Sequence, residues 1–434
     1  MRREIGLSRV KEFSVFGEDY GTSELKFGPA TLGNVPDVIE NRGYFPDTRS
    51  SMVRMTGGPD KKLLVVGPDV SNFVEAKRDI AERMVYPMRS GVIDRDDDRS
   101  WSVVKELTRY ALLRHVPESP GFEGVKAVAA LSAAAPRYMY DRLFDIHREI
   151  NQEEGRNIVK AISVIPQPLA VAISQKVLAC TVLEAGAGNL QLAPLSSGMI
   201  FNALITLNRG GGDCDLVAAE ILRDAGYGDL AREPKLVKLF KEAVGLVPRK
   251  LGDIIADKNN PKYGVVFRVP NTRIAIDLDK SSWQRFLIGE YFFDPSNEYY
   301  SSYYRRGFPK PADSYAEGRV VPGTIDIAEA IVQSVQKCSF EIQPALYRSI
   351  FLSGGGFAWQ VPPGMEAFAV DSPTKLKSML ESKGIEGVNV TLTSHPVYNV
   401  WQGCVAYGMY IPDDFTWDWD EREGWQYLDG KQGS

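Results

Sequence analysis

Two short stretches of this chain share one grammar. In Val15-Phe16-Gly17-Glu18-Asp19-Tyr20-Gly21-Thr22-Ser23-Glu24-Leu25-Lys26-Phe27-Gly28 an apolar run ends in acid-X-Gly and resumes as an alternating strand. In Cys180-Thr181-Val182-Leu183-Glu184-Ala185-Gly186-Ala187-Gly188-Asn189-Leu190-Gln191-Leu192 a β-branched run is again followed by acid, any residue, glycine and an alternating strand. At that spacing these residue types can bind an anion beside a cation. Glycine reaches φ angles that let backbone N–H groups crowd a phosphate, which makes Gly21 the pivot of the first turn. Thr22 and Ser23 add hydroxyl donors, Asp19 ends the strand where it can hold a hydrated cation, and Lys26 is placed to reach β and γ oxygens. One Asp-X-Gly turn usually does no more than join two strands. A second copy points to a duplicated fold whose halves face each other across a nucleotide.

The elements that must position these turns are strands alternating with helices, the pattern of a sheet covered by helices. Thr31 to Ile39 continues the first hairpin as strand, and Leu63-Leu64-Val65-Val66-Gly67 is a short strand after a polar segment, Ser50 to Lys62, read as a surface loop. Trp101 to His115 has apolar residues at helical spacing behind the acidic run Asp94 to Asp98, which suits a helix N-terminus. Val125 to Leu131 is a strand, and Pro136 opens a helix over Tyr138 to Ile150 from the N1 position. Ile158 to Ile165 is a strand, followed after Pro166-Gln167-Pro168 by the helix Leu169 to Val177. Asn208-Arg209-Gly210-Gly211-Gly212-Asp213 is a glycine turn leading to the helix Leu216 to Arg223, and Pro234 to Leu246 is a helix carrying Lys241 and Glu242. Val265 to Leu278 reads as a hairpin, whereas Tyr299 to Tyr315, rich in tyrosine, reads as an irregular loop. Ile325 to Gln336 is helical, Ile350-Phe351-Leu352 is a strand, and Ser353-Gly354-Gly355-Gly356 is a third glycine-rich turn. The acidic tail with Trp417, Trp419 and Trp425 can be docked or free.

Composition narrows the function classes. The 434 residues, 44% hydrophobic and 25% charged, are those of an ordinary globular protein with room for two or more cores. A net charge of -5 argues against wholesale nucleic-acid binding, which needs clustered Lys and Arg. Cys180, Cys214, Cys338 and Cys404 are scattered, without zinc or disulfide spacing, and read as reduced core residues. His115, His147 and His395 are equally scattered, and His147 reads as a packing histidine. No apolar run approaches the roughly 20 residues of a membrane span, and the N-terminal residues lack the core of a signal peptide, so the expected location is the cytoplasm.

In this order the motifs resemble the actin superfamily, and within it the archaeal crenactins. Asp19 to Gly28 looks like the family's first phosphate loop and Glu184-Ala185-Gly186-Ala187-Gly188 like its second. Val66-Gly67-Pro68-Asp69 and Tyr86-Pro87 to Ile93 resemble its small outer subdomain, with Thr48 to Lys61 where the family carries a DNase-binding loop. Ser334 to Gly355 matches the adenosine-side turn, Tyr398-Asn399-Val400-Trp401 the C-terminal segment, and Tyr299 to Tyr315 an enlarged hydrophobic plug. Gln167 falls where the family orients the attacking water. The departures are Glu184 in place of aspartate, Ala187 in place of a loop acid, Gln191 in place of a histidine, and Val397 where an adenine-flanking lysine stands.

The resemblance implies an α/β protein with a duplicated actin/hexokinase-type, ribonuclease-H-like core in two lobes and four subdomains. Lobe I would take residues 1–166 and 398–434, with an outer subdomain at about 45–90, and lobe II residues 167–397, with one at about 212–290. It implies that Asp19 and Glu184 hold Mg²⁺ mainly through water, because Mg²⁺ dehydrates reluctantly. Gly21, Thr22, Ser23, Lys26, Gly186, Ala187 and Gly188 would bind the phosphates of ATP or ADP, and Gln167 would position water. Gly211, Lys241, Glu242, Gly354, Gly355, Gly356 and Trp359 would meet the nucleoside. The implied function is an ATPase that self-assembles into cytoskeletal filaments, alongside accessory cytoskeletal proteins, with hydrolysis coupled to assembly. A phosphotransferase of the same fold and a nucleotide-binding adaptor that does not polymerise are the alternatives.

Overall fold

A computed structural model describes residues 14–46, 64–73, 82–119, 121–316, 318–419 and 422–428. Thr48 to Lys61, the expected DNase-loop position, lies outside these residues, as does the expected surface loop Ser50 to Lys62. The chain divides into two compact units: Met1–Val177 with Tyr398–Ser434, and Leu178–Val397.

In the first unit, β1 (Val15–Tyr20), β2 (Glu24–Pro29), β3 (Asp37–Glu40), β4 (Val125–Leu131) and β5 (Val159–Pro166) form a sheet in the order β5-β4-β1-β2-β3. β1 runs parallel to β4 and antiparallel to β2, which in turn is antiparallel to β3. β4 is Val-Lys-Ala-Val-Ala-Ala-Leu, buried along its whole length, the continuous apolar run expected of a parallel strand covered on both faces. Helix α1 (Asp98–His115) starts at Asp97, whose carboxylate accepts from the Arg99 and Ser100 N–H groups at 3.1 Å each. Helix α2 (Arg137–Glu154) follows Pro136, which takes the cap position one residue outside the expected N1, and Gly155 closes it at φ 64°. Helix α3 (Gln167–Gln175) begins directly at the end of β5. The helix Asn399–Tyr410 packs on β1 and α3, with Trp401 fully buried and its Nε1–H donating to the Gly28 carbonyl at 3.3 Å.

In the second unit, β6 (Ala179–Ala185), β7 (Leu190–Ser196), β8 (Ile205–Leu207), β9 (Ile350–Ser353) and β10 (Val390–Leu392) take the order β8-β7-β6-β9-β10. β6 is antiparallel to β7 and parallel to β9, and β7 is antiparallel to β8. Strand order and polarity therefore repeat those of the first unit: each turn-bearing strand has an antiparallel meander on one side and parallel strands on the other. Helices α4 (Gly211–Asp224), α5 (Pro234–Val244) and α6 (Arg285–Phe293) cover this unit's core.

Three expectations need correction, and one left open is decided. Only Asp37–Glu40 of the strand expected from Thr31 is extended, because Ala30–Leu32 forms a 3₁₀ turn closed by Gly33 at φ 79°. α4 starts at Gly211 rather than Leu216, since Asp213 accepts from the Gly210 N–H and caps the glycine run. Tyr299 to Tyr315 is not an irregular loop: Glu298–Tyr300 and Ser301–Arg305 are helical, and Tyr300 and Tyr303 turn inward onto Tyr291 and Phe308. Burial of the rings explains why so aromatic a segment is tolerated, and Tyr315, 77% exposed, belongs to the next hairpin, Ser314–Ala316 with Arg319–Val321. The tail is docked: Gln426–Tyr427 pairs antiparallel with β5, Trp425 is buried, and Trp417 and Trp419 meet the Tyr140 ring.

Candidate functional site

Side chains alternate across a strand, so β1 presents Asp19 to one face and Glu18 and Tyr20 to the other. Asp19 is 4% exposed and sits opposite Lys26 in the β1–β2 register. Lys26 Nζ lies 3.8 Å from Asp19 Oδ2 and 3.6 Å from Glu24 Oε2. Gln167, first residue of α3, donates from Nε2 to Asp19 Oδ1 at 2.8 Å and more weakly to the Tyr20 carbonyl at 3.4 Å. Pro166 and Pro168 fix that position: Pro166 is extended at ψ 139°, and Pro168 opens the helix where no backbone donor is needed. The sequence thus names Asp19, Lys26 and Gln167, and the fold gathers all three. Burial pushes the Asp19 carboxyl above its ordinary range, against the opposing pull of Lys26 and the Gln167 amide.

The turn itself departs from expectation in one respect. Gly21 does not adopt positive φ. It is glycine because a Cβ there would lie 2.9 Å from the Glu24 carbonyl oxygen, which accepts the Gly21 N–H at 3.0 Å. Thr22 Oγ1 accepts from the Gly91 N–H at 3.2 Å, and Ser23 is exposed. Asn41, unmarked in the sequence by any motif, donates from Nδ2 to the Gly21 carbonyl at 2.8 Å.

On the opposite face of β1, Glu18 and His147 are fully buried and meet at 3.1 Å; His147 Nδ1 also lies 2.7 Å from the Leu143 carbonyl. Tyr20 donates to Glu18 at 3.0 Å and meets Thr108 Oγ1 at 2.7 Å. Burial pulls the His147 imidazolium down, but the Glu18 carboxylate and the hydrogen bonds outweigh it and the net direction is up. His147 is a packing histidine, as its sequence context suggests.

In the second unit Glu184, 6% exposed, faces Gln191 across β6–β7, the same register relation as Asp19 to Lys26, and accepts from Gln191 Nε2 at 2.9 Å. The following turn rests on the start of α4: the Gly211 N–H donates to the Gly186 carbonyl at 3.0 Å and the Gly212 N–H to the Ala187 carbonyl at 2.9 Å. A Cβ on Gly210 would stand 2.6 Å from the Ala187 oxygen, so that approach requires glycine. Lys241 joins the cluster, donating to the Gly211 carbonyl at 3.1 Å and pairing with Asp215 at 2.8 Å. Gly354 takes φ 90° and passes so close to β6 that a Cβ would lie 2.1 Å from the Ala185 oxygen. The Trp359 Nε1–H donates to the Gly356 carbonyl at 2.8 Å, and its ring lies against Gly245 at the end of α5. Of the residues expected around a nucleoside, Gly211, Lys241, Gly354, Gly356 and Trp359 form one contiguous group with the second turn. Gly355 lies exposed within the same glycine run. Glu242 follows the buried Lys241 on α5 and is exposed. Gly188 lies in the turn between β6 and β7.

Among the described residues no three His, Cys, Asp or Glu side chains are gathered as a metal centre. Asp19 and Glu184 each offer a buried carboxylate oxygen, the kind of donor a hard cation that keeps much of its water takes. A cation at Asp19 would also offset the burial that now disfavours its charge. Among the described residues no helix is long and apolar enough to cross a membrane.

Each unit thus carries the same sheet, with an acid-bearing hairpin at the equivalent position. Residues 224–360, about a third of the chain, match the family model described as Actin. The chain is also similar to actin-related protein 3 of Saccharomyces cerevisiae, 23% identical over 329 residues. That alignment covers 71% of this chain and 64% of the yeast protein, so the chain spans somewhat under two thirds of that relative's length. Neither match points to the crenactins in particular.

Proposed function

We propose that this protein is an actin-type nucleotide-binding protein that takes ATP with Mg²⁺, hydrolyses it slowly and assembles into filaments. The observation that carries this reading is the repeated turn: in each unit a buried acid faces a polar partner across a hairpin, and the turn that follows contains glycine. In the proposed complex Asp19 and Glu184 hold the hydrated cation, and the turns at Gly21 to Ser23 and at Gly186 to Gly188 offer N–H groups to the phosphates. Bound Mg²⁺ supplies neutralisation of charge on the β and γ oxygens. Lys26 adds a second positive charge. Gln167, an amide already on Asp19, cannot remove a proton and acts by orienting water. Lys241, Gly354, Gly356 and Trp359 would hold the nucleoside.

The test is sedimentation with phosphate release, in Mg-ATP, in Mg-ADP and without nucleotide, over a range of protein concentrations. Polymer with a critical concentration, and phosphate release that rises with assembly, is the expected result; phosphate release without polymer turns the reading toward a phosphotransferase. A nucleotide-binding partner of other proteins, without self-assembly, is the second reading. The likeness to an actin-related protein favours it, and binding of ATP with neither polymer nor turnover would select it.

A further inference from the structure

The second turn is restrained through its carbonyl groups, Gly186 and Ala187, by the N–H groups of Gly211 and Gly212. A trans peptide is planar, so a carbonyl tied in one direction aims the N–H of the next residue the opposite way. Tying Gly186 and Ala187 therefore sets the N–H directions of Ala187 and Gly188. In the first unit the equivalent restraint comes from one residue. Asn41, 3% exposed and directly after β3, donates its side-chain Nδ2–H to the Gly21 carbonyl at 2.8 Å and its backbone N–H to the Ser23 carbonyl at 2.8 Å. By the same planarity the Gly21 bond turns the Thr22 N–H away from Asn41. Among the described residues neither the Thr22 nor the Ser23 N–H donates a hydrogen bond within the protein. The Thr22 hydroxyl accepts from Gly91, which leaves its own proton to donate.

We propose that Asn41 is the positioning residue of the first phosphate turn, the side-chain counterpart of the Gly211–Gly212 backbone pair in the second unit. It does not touch the ligand; it aims the Thr22 N–H at a phosphate oxygen. This rests on the nucleotide reading above. The chemistry selects asparagine: the Gly21 carbonyl needs a donor, a carboxylate there would face that oxygen with a lone pair, and a lysine would add a charge competing with Lys26 for the anion.

The experiment is displacement of a fluorescent ATP analogue by ATP, ADP and adenosine, with Mg²⁺, from the full-length wild type, Asn41→Ala and Asn41→Asp. Asn41→Ala should weaken ATP and ADP by about tenfold and leave adenosine unchanged, because only the phosphates meet the turn. Asn41→Asp conserves size and should weaken ATP at least as much at neutral pH, so it decides the matter if the alanine variant does not fold. Unchanged ATP affinity in a folded variant overturns the role of Asn41 and leaves the nucleotide reading intact. Parallel loss of ATP and adenosine overturns it in favour of a general structural role. A wild type that binds neither ATP nor ADP removes the nucleotide reading, and this inference with it.

Discussion

The two turns stand on equivalent strands of equivalent sheets, yet they are made rigid by different means. The first is braced largely through side chains: the Asn41 amide on the Gly21 carbonyl, the Thr22 hydroxyl accepting from the Gly91 N–H, and Gln167 on Asp19, with one backbone bond from Asn41 to Ser23. The second is braced by backbone, where the N–H groups of Gly211 and Gly212 meet its carbonyls and Gly354 presses against β6. Side-chain bracing can be removed one hydrogen bond at a time. Backbone bracing depends on glycine, and a single methyl group displaces the main chain. The first turn should therefore be open to functional tuning, while the second answers first through stability.

The largest effect expected from this contrast is at Gly354. Gly354→Ala forces a Cβ to within 2.1 Å of the Ala185 oxygen at φ 90° and should destabilise the protein by about 3 kcal/mol or more, read from the denaturant midpoint. Gly355→Ala, where a Cβ meets nothing within 4 Å, should stay within about 1 kcal/mol. Equal losses at the two positions would break the contrast.

Next is Asp19. Its carboxyl is raised in the fold, chiefly by burial, so its favourable contribution is present below the ordinary value of 3.8 and is lost as pH rises through the raised one. Above that raised value the ionised group opposes folding. The neutral isostere, Asp19→Asn, should raise the melting temperature of the nucleotide-free protein while weakening Mg-ATP by about a hundredfold, as removal of a charged partner does. Calorimetry and titration on one sample check both halves.

The buried pair behind the first turn gives a smaller, pH-dependent effect. His147 is raised above 6.5, so the fold binds more protons than the unfolded chain as pH climbs past that value. Its contribution is complete below 6.5 and is lost as pH rises through the raised value. Stability should fall across that window, and His147→Gln should flatten this part of the profile in denaturant titrations at a series of pH values. A flat wild-type profile would show that the pair contributes nothing.

The smallest effect separates neighbours on α5. Lys241→Ala, which removes the ties to Gly211 and Asp215, should weaken nucleotide binding by about tenfold. Glu242→Gln, at an exposed position, should change it by less than about twofold. Displacement titrations on the two variants sharpen the boundary of the site.

Much of this arrangement is legible in sequence because its signals are local. Alternation in the hairpins, the buried run of β4 and the Pro166-Gln167-Pro168 punctuation depend on neighbouring residues alone. Asp19, Lys26, Glu184 and Gln191 follow from the same alternation, since cross-strand partners in a tight hairpin are close in the chain. Tyr299 to Tyr315 shows the limit. Tyrosine reports an amphipathic ring, and only the presence of Tyr291 and Phe308 decides that Tyr300 and Tyr303 turn inward.

By itself the sequence determined the two acid-X-Gly turns, the alternating strands that carry them and the superfamily they resemble, because each is a short-range pattern of residue type. The tertiary structure alone decided what holds those turns. Asn41 reaches Gly21 across 20 positions, Gln167 reaches Asp19 across 148, and Lys241 reaches Gly211 across 30. Hydrogen bonds between residues so far apart leave no periodicity to read, and they exist only once the sheets have brought their partners into place.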